Sequence, residues 1–125
     1  MVYDPQNIFA KILRGEIPCD KVYENDHALA FNDIVPQTPA HILVVPKGAY
    51  VSMADFSTNA TDAEIGGLIR AVGQVARDAG LEDPGYRILA NHGADAHQEV
   101  AHFHIHVFGG RDLGGMVGRP RPDAG

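Results

Sequence analysis

Apolar positions recur along this chain with two different periods, and each change of period marks an element. Residues 8–14, IFAKILR, put Ile8, Phe9, Ile12 and Leu13 on one face, the spacing of a short amphipathic helix. Asn7 is placed to cap that helix and Gly15 to stop it, and Pro18 then breaks the chain. DKVYE (20–24) and HALAFND (27–33) read as two short strands joined by a turn at Glu24-Asn25-Asp26. Pro36 and Pro39 make IVPQTPA a loop, because prolines so close together suit neither a helix nor a central strand. HILVVP (41–46) is a nearly continuous apolar run, the pattern of a strand buried on both faces.

The long helix is announced by Thr61-Asp62-Ala63-Glu64, a capping box. After it Ile65, Leu68, Ile69, Val72, Val75, Ala76 and Ala79 recur at helical spacing, and Gly80 supplies the stop. Gly66, Gly67 and Gly73 weaken this helix intrinsically, which calls for close packing against a sheet or a second subunit. YRILAN (86–91) and VAHFHIHVF (100–108) read as the last two strands, with the polar loop NHGADAH after the first. The order is helix, three strands, helix, two strands. Short connections favour antiparallel pairing, so the expected fold is α+β, with helices on one face of a meandering sheet of about five strands.

Bulk composition narrows the function more than the fold. A chain of 125 residues, 45% hydrophobic and 21% charged, reads as one soluble domain. The single Cys19 leaves no internal disulfide framework and fits a reducing cytoplasm. The N-terminal residues lack the pattern of a signal peptide, and the longest apolar run, Ile42 to Pro46, is too short to span a bilayer. A formal charge of −6 argues against nucleic acid as a partner, but not against a small anion held by local donors.

Residues 101–110, AHFHIHVFGG, carry the candidate chemistry. Strand alternation puts His102, His104 and His106 on one face with Val100 and Phe108, while Ala101, Phe103, Ile105 and Val107 take the core face. Successive histidines then stand roughly 6.5–7 Å apart at their Cα atoms. Three readings follow from the residues: a solvated edge strand, a zinc site with His41 as an added ligand, or nucleophilic catalysis at phosphorus.

HFHIHVF fits the His-φ-His-φ-His-φ-φ pattern of the histidine triad nucleotide-binding family. IFAKILRGEIP, FNDIVPQTPAHILVVP, YRILANHG and the Gly109-Gly110-Arg111 after the triad resemble its Hint branch, over residues 7–118. The resemblance implies a HIT-like fold in a single domain, with a short N-terminal helix, one long helix and a flexible tail at 119–125. It implies a purine nucleoside phosphoramidase needing no cofactor and no metal, in which His104 attacks phosphorus and a nucleotidyl-histidine is hydrolysed to the monophosphate. His106 would contact the phosphoryl oxygens or the departing group, and His102 would orient its neighbours. His41, the family's fourth histidine, would support the site from a position near His102.

The resemblance also assigns the nucleotide pocket. Asp33 would accept two hydrogen bonds from the ribose diol, with Asn32 and Ile34 beside it. From its residue type alone, Asp33 is a turn aspartate before a proline-rich loop. Ile8, Phe9, Ile17, Phe31 and Leu43 would surround the base. Asn91 and the loop ending His97-Gln98-Glu99 would face the phosphate. Expected partners are AMP, GMP or a nucleoside phosphoramidate, and a second copy of the chain meeting through residues 62–79 and 86–91. A nucleotide-binding interaction protein with slow hydrolysis and a dinucleoside polyphosphate hydrolase are the alternatives. Three positions depart from animal relatives: Glu99 replaces a small hydroxyl residue, His97 replaces a glycine, and the tail lacks their aromatic C-terminus.

Overall fold

The computed structural model describes residues 2–117 and has eight elements. They are α1 (Ile8–Leu13), β1 (Lys21–Glu24), β2 (Ala28–Asn32), β3 (Ala40–Pro46), α2 (Met53–Asn59), α3 (Asp62–Asp78), β4 (Arg87–Leu89) and β5 (Ile105–Gly109). All strand pairs are antiparallel, in the order β1-β2-β3-β5-β4. The first three strands form a meander. The chain then crosses through α2 and α3, lays β4 at the far edge, and returns β5 into the gap beside β3.

Strands β2 and β3 feed two apolar layers, and β5 feeds one of them. Ala28, Ala30, Ile42, Val44, Ile105 and Val107 face α3, joined there by Leu68, Ala71, Val72 and Val75. Leu29, Phe31, Leu43 and Val45 point the other way and pack on Phe9 of α1. The helices therefore cover opposite faces, not one face as the sequence suggested, because β2 and β3 are apolar on both sides. The histidines share the α1 face.

Local signals at the helix ends are realised. The Asn7 side chain accepts from the Ala10 N–H, and Gly15 takes φ 78°. Thr61 and Glu64 form the reciprocal capping box. Ile69, placed on the buried stripe by its spacing, is instead 55% exposed. Of the three helix glycines only Gly67 is tightly packed: a Cβ there would lie 2.8 Å from that of His27, in the turn between β1 and β2. Its neighbour is thus a hairpin turn, neither a bare sheet nor a second subunit.

Two boundaries differ from the sequence reading. Helix α2 has no counterpart in it, since Phe56 is its one buried residue and Ser52 makes no side-chain cap. The last strand starts at Ile105 instead of Val100. Extending the β3–β5 register would set Phe103 opposite Pro46, which has no N–H to give. The Phe103 N–H donates to the Tyr50 carbonyl instead, at 2.7 Å. The expected tail, residues 119–125, lies outside the described residues.

Candidate active site

Register determines which side chains meet. Across the sheet Phe31 pairs with Leu43, Leu43 with His106 and His106 with Leu89, forming one row on the α1 face. The next row sets His41 beside Phe108, and Phe108 beside Arg87. His41 accordingly contacts His106 and Phe108, and the expectation that it would lie near His102 is corrected. In that register residue 102 would fall opposite residue 47, at the far end of β3.

Hydrogen bonds fix the proton positions on the four rings. The Pro46 carbonyl can only accept, so the His102 Nε2–H donates to it at 2.8 Å and the Tyr3 hydroxyl donates to Nδ1 at 2.7 Å. The His104 Nδ1–H donates to the carbonyl of His102 at 2.7 Å, which leaves the Nε2 lone pair of His104 free. The orienting group that His102 offers its neighbour is therefore its backbone oxygen. His41 Nδ1 accepts from the Gln37 N–H at 3.1 Å, so His41 Nε2 carries a hydrogen. It donates to His106 Nδ1 at 2.9 Å, in preference to the Asp33 carboxylate at 3.5 Å. His106 is left with a hydrogen on Nε2, a buried donor without a partner.

All four imidazoles are held below their ordinary pKa, and burial is the main cause in each. His106 is pushed lowest, to about 4, by burial and then by the neighbouring His104 and His41. For His104 the bond to the His102 carbonyl and the charges of Asp33 and Glu99 partly oppose the shift. The rings are therefore neutral at neutral pH, the form in which an imidazole nitrogen is a nucleophile. Phe9 meets the His104 ring edge-on at 4.9 Å, and Phe108 stacks on His106 at 5.4 Å with 5° between planes. These contacts leave the two rings little freedom.

An open cleft of about 380 Å³ lies over them, lined by His104, His106, Asp33, Ile34, Asn91, His97 and Glu99 among others. It adjoins an apolar recess of about 100 Å³ formed by Ile8, Phe9, Ile17, Phe31 and Leu43, with Asn32 at its edge. The two together gather nearly every residue expected to touch a nucleotide. Asp33 is the expected turn aspartate, its Oδ1 accepting from the Val35 N–H, and it also lines the cleft. Gln98 does not line it: its amide donates to the Val51 and Val100 carbonyls and accepts from the Gly93 N–H, bracing the loop. His97 adopts φ 57°, the one positive φ of a non-glycine residue among those described.

Some residues of the site leave no sequence signal. Tyr3 is ninety-nine positions from His102, Gln37 acts through its backbone, and Ile12 and Cys19 enter the apolar recess only through the fold. A larger depression of about 770 Å³, between Ala79–Leu81 and Gly110–Gly114, lacks any histidine and is not the site. Among the described residues, no group of three or more His, Cys, Asp or Glu is arranged to hold a metal ion.

The sequence matches the HIT domain over residues 14–113. The chain belongs to the HIT domain family. A 13.2 kDa HIT-like protein of Azospirillum brasilense is 70% identical over 115 residues, covering 92% of this chain and 94% of that protein. The purine nucleoside phosphoramidase of Escherichia coli (strain K12) is 41% identical over 112 residues, 90% of this chain and 93% of its own length. A histidine triad protein from Clostridium difficile superposes with a TM-score of 0.81 at 39% identity, covering 93% of this chain and all 100% of its own. The matched residues 14–113 include helices α2 and α3 and all five antiparallel strands. Among the described residues no helix is long and apolar enough to cross a membrane.

Proposed function

We propose that this HIT protein is a hydrolase of purine nucleoside 5′-phosphoramidates, acting through a nucleotidyl intermediate on His104. One observation carries the reading. His104 is buried, its Nδ1–H is tied to the His102 carbonyl, and its Nε2 lone pair is left at the cleft. The base lies in the apolar recess around Ile8, Phe9, Ile17, Phe31 and Leu43, and the Asp33 carboxylate accepts from the ribose hydroxyls. The 41% identity to a purine nucleoside phosphoramidase supports the same substrate class.

The chemistry follows from the tautomers. His104 Nε2 attacks the α-phosphorus as the P–N bond breaks, and the adduct's positive imidazolium is stabilised by the His102 carbonyl on Nδ1–H. The unpartnered His106 Nε2–H donates to a phosphoryl oxygen or to the departing nitrogen. The departing nitrogen takes its proton from solvent, since the neutral His106 gives only a hydrogen bond, and the water that cleaves the adduct returns one proton to solvent. His41 acts only by holding His106 in the donating tautomer.

The acting unit is a homodimer. The outer side of β4 is unpaired, and Tyr86, Ile88 and Leu89 are exposed there, with Ile69 of α3 also exposed. An apolar edge of this kind pairs with a second copy or is a liability.

The reading is tested by turnover of a fluorogenic adenosine phosphoramidate by wild type and His104→Ala. Wild type should release AMP, and the variant should lose about 10³-fold or more. Undiminished turnover in the variant would sink the mechanism.

A further inference from the structure

The electrostatics of the phosphate cleft are unusual for an anion site. Among the described residues no Lys or Arg lines it, while two carboxylates do, Asp33 and Glu99. The other titratable groups facing it are His97, His104 and His106, with His41 behind them. His104 and His106 are neutral at neutral pH because burial lowers their pKa. The phosphate is therefore met by neutral donors and by carboxylates, the reverse of a cationic clamp.

The position of Glu99 is imposed by the loop. Gln98 is anchored to Val51, Val100 and Gly93, and His97 turns through a positive φ just before it. The residue after Gln98 is thereby set on the cleft side, beside His97 and Asn91. An anion held there acts on whatever charge the phosphorus group carries.

Resting on the phosphoramidase reading, we infer that Glu99 makes this cleft select phosphate by charge: it accepts a capped, singly charged phosphate and expels the doubly charged monophosphate. A phosphoramidate or phosphodiester carries one negative charge at the α-phosphorus. The free monophosphate product carries nearly two at pH 7, since its second pKa is about 6. Glu99 is thus a specificity residue that favours substrate over product and speeds product release.

The test compares AMP with its methyl ester, a capped analogue with one charge, by calorimetry on wild type and Glu99→Gln. Glu99 is exposed, so the variant keeps the fold. At pH 7.5 wild type should bind the ester roughly five- to tenfold tighter than AMP, and the gap should shrink at pH 5.5. Glu99→Gln should close most of the gap at pH 7.5 by tightening AMP, and Glu99→Asp should keep it. The cleft histidines are the same in wild type and Glu99→Gln, so the change in the ratio between the two proteins isolates Glu99. An AMP-to-ester ratio unchanged in Glu99→Gln overturns the inference while leaving the phosphoramidase reading intact. Failure of wild type to bind either ligand overturns the nucleotide reading and the inference together.

Discussion

His41 Nε2 lies 2.9 Å from His106 Nδ1, a hydrogen bond between β3 and β5 that decides where the proton of His106 sits. The Gln37 N–H occupies the other nitrogen of His41, so the bond has one direction. A backbone amide of the proline-rich loop thus sets, through two rings, the donor that faces the cleft.

Removing that relay should change the tautomer as well as the rate. His41→Ala leaves His106 free to move its hydrogen to Nδ1, and kcat should fall on the order of tenfold or more. His41→Gln retains an N–H donor and should recover part of the loss. Nitrogen-15 shifts of the His106 ring are the deciding measurement. Unchanged shifts together with full activity in His41→Ala would contradict the relay.

Stability should fall in acid over a window set by the buried histidines. His41, His102, His104 and His106 all have folded pKa values below the ordinary value near 6.5, with His106 at about 4. Between those limits the unfolded chain binds more protons than the folded one. Their contribution is therefore complete above about pH 6.5 and is lost as pH falls toward 4. Carboxylates with lowered values, such as Glu64 bonded by the Thr61 N–H, add losses only below about 4.5. Urea midpoints should decline already between pH 6.5 and 5, and a flat profile there would count against the neutral histidine cluster.

The glycines of α3 should respond oppositely to alanine. A Cβ at Gly67 meets the Cβ of His27 at 2.8 Å, so Gly67→Ala should lose about 1–3 kcal/mol from crowding, outweighing the ~1 kcal/mol gain in helix propensity. At Gly66 a Cβ has open space, and Gly66→Ala should gain up to ~1 kcal/mol. Thermal or urea denaturation of the two variants side by side checks the contrast.

The dimer should depend on the β4 edge. Ile88 is 48% exposed, so lysine there is tolerated by the monomer but blocks edge pairing. Light scattering after size exclusion should give a dimer for wild type and a monomer for Ile88→Lys. A monomeric wild type at micromolar concentration would remove the dimer from the proposal.

Much of this was legible along the chain. The period of two separated Phe103, Ile105 and Val107 from the three histidines, and the structure buries the first set against α3. The capping residues Asn7 and Thr61 mark their helices because a cap is a contact within three residues. Helix α2 was silent, since one buried residue makes no period. The early end of the β5 ladder was also hidden, because it follows from Pro46 in a different strand.

By itself the sequence determined which histidines share a face, where the helices begin, and that Asp33 can turn the chain. These depend on covalent geometry and on neighbours a few residues apart. Only the tertiary structure decided that His41 serves His106, that a carbonyl and not an imidazole orients His104, and that Tyr3 closes over His102. Those pairings depend on strand register, and register is set collectively by burial of both sheet faces. A shift of one residue pair in β3 against β5 would keep every local pattern and give His106 a different partner.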